Sequence, residues 1–233
     1  MALTSPELTQ VPTVLLTTAD STLASVAKDL AALPGDWRGK VVLHTCGSLP
    51  ASVLAPLARR GAAVGSLHPF QTIPSPVVGT RNLVGCSWAI EGDPAGRRVA
   101  ARWVKALEGV AFSIRPGQKI LYHAAAFLVC PMLVTLMDHS AYLLRRSGVP
   151  AKIARPMLAR FVAETARNFS ELGARRALTG PAIRGDWPVI RQHLLALGRY
   201  SPDLVPVYKA LLRAMLRLAG QRPPRDLRRI LER

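Results

Sequence analysis

The stretch GVAFSIRPGQKILYHAAAFLVC, Gly109–Cys130, decides the fold. Its first half is an apolar, β-rich run of strand length closed by Pro116-Gly117, and its second half opens an apolar helix. Upstream of that junction two periods alternate. TVLLTTAD (13–20), KVVLHTCG (40–47), AAVGSLHPF (62–70) and CSWAIEG (86–92) are further runs of strand length. Between several of them lie amphipathic segments: DSTLASVAKDLAAL, with Asp20 or Ser21 placed as N-cap, then PASVLAPLARRG and PAGRRVAARWVKALEG, both closing on Gly. Strand and helix in alternation predict an α/β domain with a parallel sheet. Downstream of Pro116-Gly117 only helices are predicted, over 119–147, 150–173, 187–199 and 202–219. The expected organisation is an α/β domain over 1–117, an all-α domain over 118–220 and a frayed basic tail over 221–233.

Composition bounds the partners. With 49% hydrophobic residues among 233, the chain can bury a sizeable core. Lys plus Arg total 31 against 14 acidic residues, a net charge of +17, which favours a polyanion, an acidic surface or a phosphorylated small molecule. The excess is mostly Arg spread along the chain, densest in GQRPPRDLRRILER, and a bias toward Ala and Arg accounts for it. No zinc finger, aromatic-studded basic surface or reading helix is recognisable, so nucleic-acid binding is not expected. Cys46, Cys86 and Cys130 are an odd, scattered set that suits a reducing cytosol. The opening MALTSPELTQVPTVLLTT has no basic n-region and no long apolar core, so it is not read as a signal peptide, and the expectation is a cytoplasmic protein. Ile120–Met137 approaches membrane-spanning length, but Lys119, His123, Pro131 and Asp138 fit a buried bundle helix better than lipid.

In an open parallel sheet, ligands bind beyond the carboxyl ends of the strands. Polar residues collect at those ends: Thr17, Thr18 and Asp20 after the first strand, His44, Thr45 and Cys46 after the second, His68, Phe70 and Gln71 after the third. Each also has a structural reading: Asp20 caps a helix, Gly47-Ser48 turns the chain, and His68-Pro69 starts a loop. The H-x-C spacing of His44 and Cys46 with a distant His68 matches no zinc pattern, and no metal is expected. Lys119 and His123, four apart, share one helix face and suit carbonyl binding and proton transfer; the alternative is a solvated Lys119 and a satisfied core His123.

A second polar cluster interrupts the helices, LTGPAIRGDWP (178–188). Asp186 before Trp187-Pro188 reads as a helix start whose carboxylate accepts backbone N–H groups. Thr179, Gly180 and Arg184 then read as a clamp, with close backbone approach at Gly and a bidentate guanidinium for a carboxylate or phosphate. His193 falls at the edge of an apolar face.

HTCGSLPASVLAPLARRGAAVGSLHPFQTI, KILYHAAAFLVC and NFSELGARRALTGPAIRGDWPVIRQHLLAL together resemble bacterial proteins that pair a Rossmann-like domain with domain of unknown function 2520. The resemblance runs from about Thr13 to Ala219 and is most specific at LTGP-x-x-RGD. These are predicted NAD(P)-dependent oxidoreductases, similar in layout to 6-phosphogluconate dehydrogenase and ketopantoate reductase, whose helical domains often dimerise. The resemblance implies a Rossmann-like sheet lacking the N-terminal Gly-rich segment, then a helical 6-phosphogluconate-dehydrogenase-like domain. It implies NADP or NAD as cofactor, a small 2-keto or 2-hydroxy acid such as ketopantoate as substrate, and a homodimer. Lys119 and His123 would be catalytic; His44, His68, Gln71, Thr179, Gly180, Arg184 and Asp186 would bind substrate; Thr18, Asp20 and Thr45 would face the cofactor. Two departures stand out. The family's G-x-G-x-x-G type turn, which cradles the pyrophosphate, is not found ahead of TVLLTTAD. Cys130-Pro131 falls where the family carries a polar Asn, which predicts a kink there. They leave a second expectation, a catalytically inactive member acting through binding or dimerisation.

Overall fold

The structure is a computed structural model that describes residues 6–232. Residues 1–5, part of the opening read above as lacking a signal peptide, and Arg233 of the basic tail lie outside the described residues. Two compact units divide at Met132 and Leu133.

In the first unit the described strands form one five-stranded sheet in the order β1-β2-β3-β4-β5, with β1 Thr13–Leu16, β2 Val41–His44, β3 Ala63–Pro69, β4 Ser87–Gly92 and β5 Val110–Ser113. All five sequence-predicted strands are present. Pairing is parallel except between β3 and β4. The exception follows from the β3–β4 connection: its helix α3, Pro76–Leu83, returns the chain to the end of the sheet it left. Sequence reading passed over α3, yet Ser75-Pro76 carries its start: Ser75 Oγ accepts from Val78 N at 3.3 Å and Pro76 fills the first turn.

Helix α1, Asp20–Ala32, buries Leu23, Ala27 and Leu30 at i, i+4, i+7 against Val14, Leu16, Val42 and Val64 on one sheet face. A 3-10 turn at Ala51–Leu54 runs into α2, Ala55–Ala58, on that same core. Helix α4, Pro94–Ala106, covers the other face through Ala100 and Val104 against Val41, Leu43, Leu67, Trp88 and Ile90. Strand alternation assigns the faces: even residues of β2 and β3 point to α1, odd ones to α4. Gly92, at φ +118°, makes the turn from β4 into α4 possible, because a Cβ there would sit 2.3 Å from the Val64 carbonyl oxygen. Helix α5, Lys119–Val129, follows β5 in the same unit.

Helix α6, Pro131–Arg146, starts immediately after α5, and Cys130 between them departs from helical geometry at φ −117°, ψ −87°. The kink expected at Pro131 is thus a full break. The expectation that this apolar run is buried does not hold within the chain: Ile120, Leu121, Phe127, Leu128, Val129 and Val134 are exposed. By length and composition alone, Lys119–Arg146 is long and apolar enough to cross a membrane.

In the second unit, α7 (Ala151–Leu172), α10 (Trp187–Tyr200) and α11 (Leu204–Ala219) match the predicted helices. The polar interruption holds two single-turn helices, α8 (Ala174–Ala177) and α9 (Pro181–Arg184). The tail expected to fray is instead helix α12, Arg225–Glu232. Its Leu227 and Leu231 are buried in a core with Ala182, Ile190, Leu212 and Leu216. Leucines three and four apart in DLRRILE supply an apolar stripe that the surrounding arginines mask in a composition reading.

Candidate active site

Cross-strand register builds the site. Leu16 pairs with His44, His44 with Ser66, and Ser66 with Glu91, so one row on the α1 face changes from apolar to polar as it crosses the sheet. All of His44 and Ser66 is buried. The first residue of α5 reaches into this row: Lys119, 2% exposed, donates from Nζ to Ser66 Oγ at 2.5 Å and lies 3.5 Å from Glu91 Oε1. The same Glu91 oxygen accepts from the Ala51 backbone N–H at 2.6 Å, at the start of the 3-10 turn. Burial lowers the Lys119 pKa, and the Glu91 carboxylate opposes that shift. The solvated reading of Lys119 is therefore incorrect; α5 begins with a buried ammonium.

The histidines surround this group. His44 Nδ1 accepts from Cys46 N at 3.2 Å, which leaves the proton on Nε2, and that buried N–H has no partner among the described residues. Burial, then the Lys119 charge, holds His44 down to about 3. His68, one register step beyond Ser66 on the same face, pairs through Nδ1 with the Tyr122 hydroxyl at 2.8 Å. Burial and then Lys119 and His123 depress it to about 4. Tyr122, whose pKa burial and then Cys86 push up to about 12, packs on His68, Phe70 and Phe112 with ring centroids 5.5 to 6.0 Å apart. His123 lies 6.1 Å from His68, ring to ring. Gly47 makes room for both histidines: a Cβ there would meet His68 Nε2 at 2.6 Å and His123 Cδ2 at 2.7 Å. The arrangement is one fixed cation, Lys119, beside His44 and His68, whose imidazoles burial keeps neutral, able to polarise a carbonyl and donate a proton.

The remaining predicted residues are placed less uniformly. Asp20 is not the N-cap of α1; Ala19 is, and Asp20 lies in the first turn, accepting from Ser48 Oγ at 2.9 Å. Burial raises its pKa, but hydrogen bonds from Cys46 and Ser48 and the charges of His123 and His68 outweigh that and lower it. Thr18 is exposed and Thr45 half-buried at the ends of β1 and β2. Gln71 is exposed and braces its own loop, donating to Asn82 O at 3.2 Å while accepting from Thr72 N at 2.8 Å. No group of three or more metal-ligating side chains occurs among the described residues. Ser66 and Glu91 were missed. The available signal was a lone Ser inside AVGSLHP and a lone Glu ending an apolar strand, and only the register shows that they meet.

In the second unit, Asp186 stands at the N-cap of α10 but its side chain makes no capping hydrogen bond, contrary to the carboxylate-cap expectation. Thr179 and Arg184 are exposed, and Arg184 forms no ion pair among the described residues. Gly180, at φ +97°, opens α9, with Pro181 in its first turn. His193 pairs with the Tyr208 hydroxyl at 2.9 Å and lines a cavity of about 550 Å³ between α6, α10 and α11.

A dinucleotide tests the rim in two places. The strand ends with Lys119, His68 and His123 fit the polar requirements of a nicotinamide and a carbonyl. The β1–α1 turn, Thr17-Thr18-Ala19-Asp20, lacks glycine and puts a carboxylate in the first helical turn, so it is not itself a pyrophosphate cradle; in the family that role belongs to the Gly-rich turn expected ahead of β1.

Two family models match the chain: a Rossmann-like domain over residues 3–69 and a domain of unknown function (DUF2520) over residues 86–215. No curated protein matches the sequence. Similar solved structures share the fold. A Thermotoga maritima protein is 20% identical at TM-score 0.71, over 89% of this chain and 78% of its own. A Bacteroides fragilis protein named as a candidate NADP oxidoreductase is 24% identical at TM-score 0.67, with the same coverages of 89% and 78%. A reductive aminase from Aspergillus terreus, in complex with NADPH and ethyl levulinate, is 20% identical at TM-score 0.61, over 93% and 78%. The Rossmann-like architecture with a helical C-terminal region is thus shared with reductases, and the chain belongs to the family defined by the domain of unknown function DUF2520.

Proposed function

We propose that the protein is an NAD(P)-dependent oxidoreductase acting on a small 2-keto or 2-hydroxy acid, in the manner of a ketopantoate reductase. The observation that carries this reading is the buried Lys119 ammonium at the strand-end rim, with His68 and His123 beside it. A charge held out of water acts strongly on a carbonyl that develops negative charge, and preorganised donors at such a position contribute much of a reductase's rate. Lys119 binds the carbonyl oxygen and supplies its proton. His123 orients the same oxygen, and His68, fixed by Tyr122, shapes the wall, with the buried His44 behind it. The bound nicotinamide would supply the hydride, and Thr18, Asp20 and Thr45 are the residues assigned to its end of the site. In the second unit Arg184, which forms no ion pair among the described residues, is the proposed contact for a substrate carboxylate, with Thr179, Gly180 and Asp186 in its loop.

The protein is proposed to work in the cytoplasm as a homodimer, without nucleic acid or membrane. Support for the dimer comes from α7, whose 22 residues bury only Ala154 while Ile153, Met157, Phe161 and Phe169 are exposed. NADPH oxidation with ketopantoate and other 2-keto acids tests the activity; absence of both turnover and NADPH binding would sink it. The exposed apolar face of α7 also suits a second reading, a catalytically inactive binding or dimerisation protein. That reading requires no melting shift with either dinucleotide, whereas a ligand at a hundred times its Kd adds about 2.7 kcal/mol.

A further inference from the structure

Glu91 joins the buried site to a separate opening. Its side chain is 14% exposed where that of Lys119 is 3% exposed. It lines a cleft of about 370 Å³ whose other walls include Pro50, Ser52, Arg97, Ser113 and Gly117. Exposed Pro50, Ser52 and Arg97 open that cleft to water. The carboxylate thus has one oxygen engaged with Ala51 N and near Lys119 Nζ and Ser66 Oγ, while the residue itself borders the cleft.

We propose that Glu91 is the positioning residue for Lys119: its carboxylate holds the Lys119 ammonium charged and aimed, and it returns a proton to the amine from the cleft rather than from the substrate side. This rests on the proposed role of Lys119 as proton donor. When Lys119 gives a proton to a substrate oxygen, its amine becomes neutral. A water in the cleft then protonates Glu91, and that proton passes to the amine directly or through the Ser66 hydroxyl, which gives one proton as it takes another. The ammonium and carboxylate are restored, with one proton drawn from solvent per proton delivered. Asp20 and Cys46 also act on the Lys119 charge, which in turn lowers His44 and His68, but none of these four borders the cleft.

The test is an NMR titration of Lys119 in the full chain carrying ¹³Cε-labelled lysine, with Lys119→Met assigning the signal. Glu91→Ala should lower the Lys119 midpoint by about one pH unit or more, as expected for loss of an opposite charge at this distance. Formate, small enough to enter the cleft and the space left by the side chain, should raise it again, whereas chloride at equal ionic strength should not. A purely structural Glu91 gives no formate response. An unchanged midpoint in Glu91→Ala, or a lowered one that formate leaves in place, overturns the proposal. Should Glu91→Ala fail to fold, Glu91→Gln keeps the acceptor for Ala51 N, and a midpoint equal to the parent's overturns it equally. Neither cofactor nor substrate is needed, so the result stands apart from whether the chain reduces 2-keto acids.

Discussion

The two units answer the same kind of sequence signal in opposite ways. In the sheet unit, polar residues scattered over a hundred positions converge: Asp20, His44, His68, Lys119 and His123 interact electrostatically around one rim. In the helical unit, Thr179, Gly180, Arg184 and Asp186 lie within eight positions of one another, yet their side chains form no hydrogen bond or ion pair with one another among the described residues. The difference lies in what positions a side chain. A parallel strand delivers its last residue to a known end of the sheet, and register then carries the polarity sideways from His44 to Ser66 to Glu91. A loop with glycines at its corners has no such rule, so proximity in sequence is poor evidence of a constellation.

The contrast breaks first at the tail of the helical unit. If α12 is a docked element, Leu231→Ala removes a side chain 2% exposed and should cost about 2–5 kcal/mol in urea unfolding of that unit. A frayed tail would make the change neutral.

Arg184→Lys sharpens the comparison on the functional side. It keeps the charge and loses the bidentate fork, so affinity for a 2-keto acid should weaken by about 1.5–3 kcal/mol with the melting temperature unchanged. Equal affinity in calorimetry would leave the helical unit without a substrate contact at this position.

Acid should act on the sheet unit through its neutral histidines. His44 titrates near 3 in the fold against an ordinary 6.5, so the unfolded chain takes up the proton first as pH falls. Its contribution is complete above the ordinary value and declines toward the folded one, with a slope of up to about 1.4 kcal/mol per pH unit for one proton. Urea unfolding followed through pH 7, 5.5 and 4, all approximate settings, should show a steeper loss in the parent than in His44→Asn, whose amide keeps an acceptor for Cys46 N. Parallel slopes would mean that the ring is already charged.

Asp186→Asn is the smallest effect. With no capping hydrogen bond to lose, the melting shift should correspond to less than about 0.5 kcal/mol. A larger loss would restore the capping role that the sequence suggested.

Much of the fold was legible because periodicity reports burial directly: every strand and the helices α7, α10 and α11 follow from local pattern, while the single helix read over 119–147, kinked at Pro131, is broken there into α5 and α6. The antiparallel turn of β4 was not, because direction depends on where the α3 connection returns. Nor was α12, where basic residues outnumber the leucines that dock it. Of the groups clustered around Lys119, the strand-end rule named His44 and His68, and helical spacing paired Lys119 with His123. What it could not supply was Glu91: a single acid in an apolar strand acquires meaning only when register sets it opposite Ser66 and an incoming lysine covers both. The burial expected for Ile120–Met137 erred in the opposite sense, since an apolar run states only that something covers it and not that the same chain does.

The central claim is that chemistry resides at the sheet rim on Lys119. Lys119→Met, assayed for NADPH-dependent reduction of ketopantoate below the melting transition of both proteins, tests it most directly. The account predicts a fall in kcat of roughly 10²–10⁴-fold, the range for loss of a positioned acid, with NADPH binding retained. A folded Lys119→Met protein that turns over substrate as the parent does would contradict it.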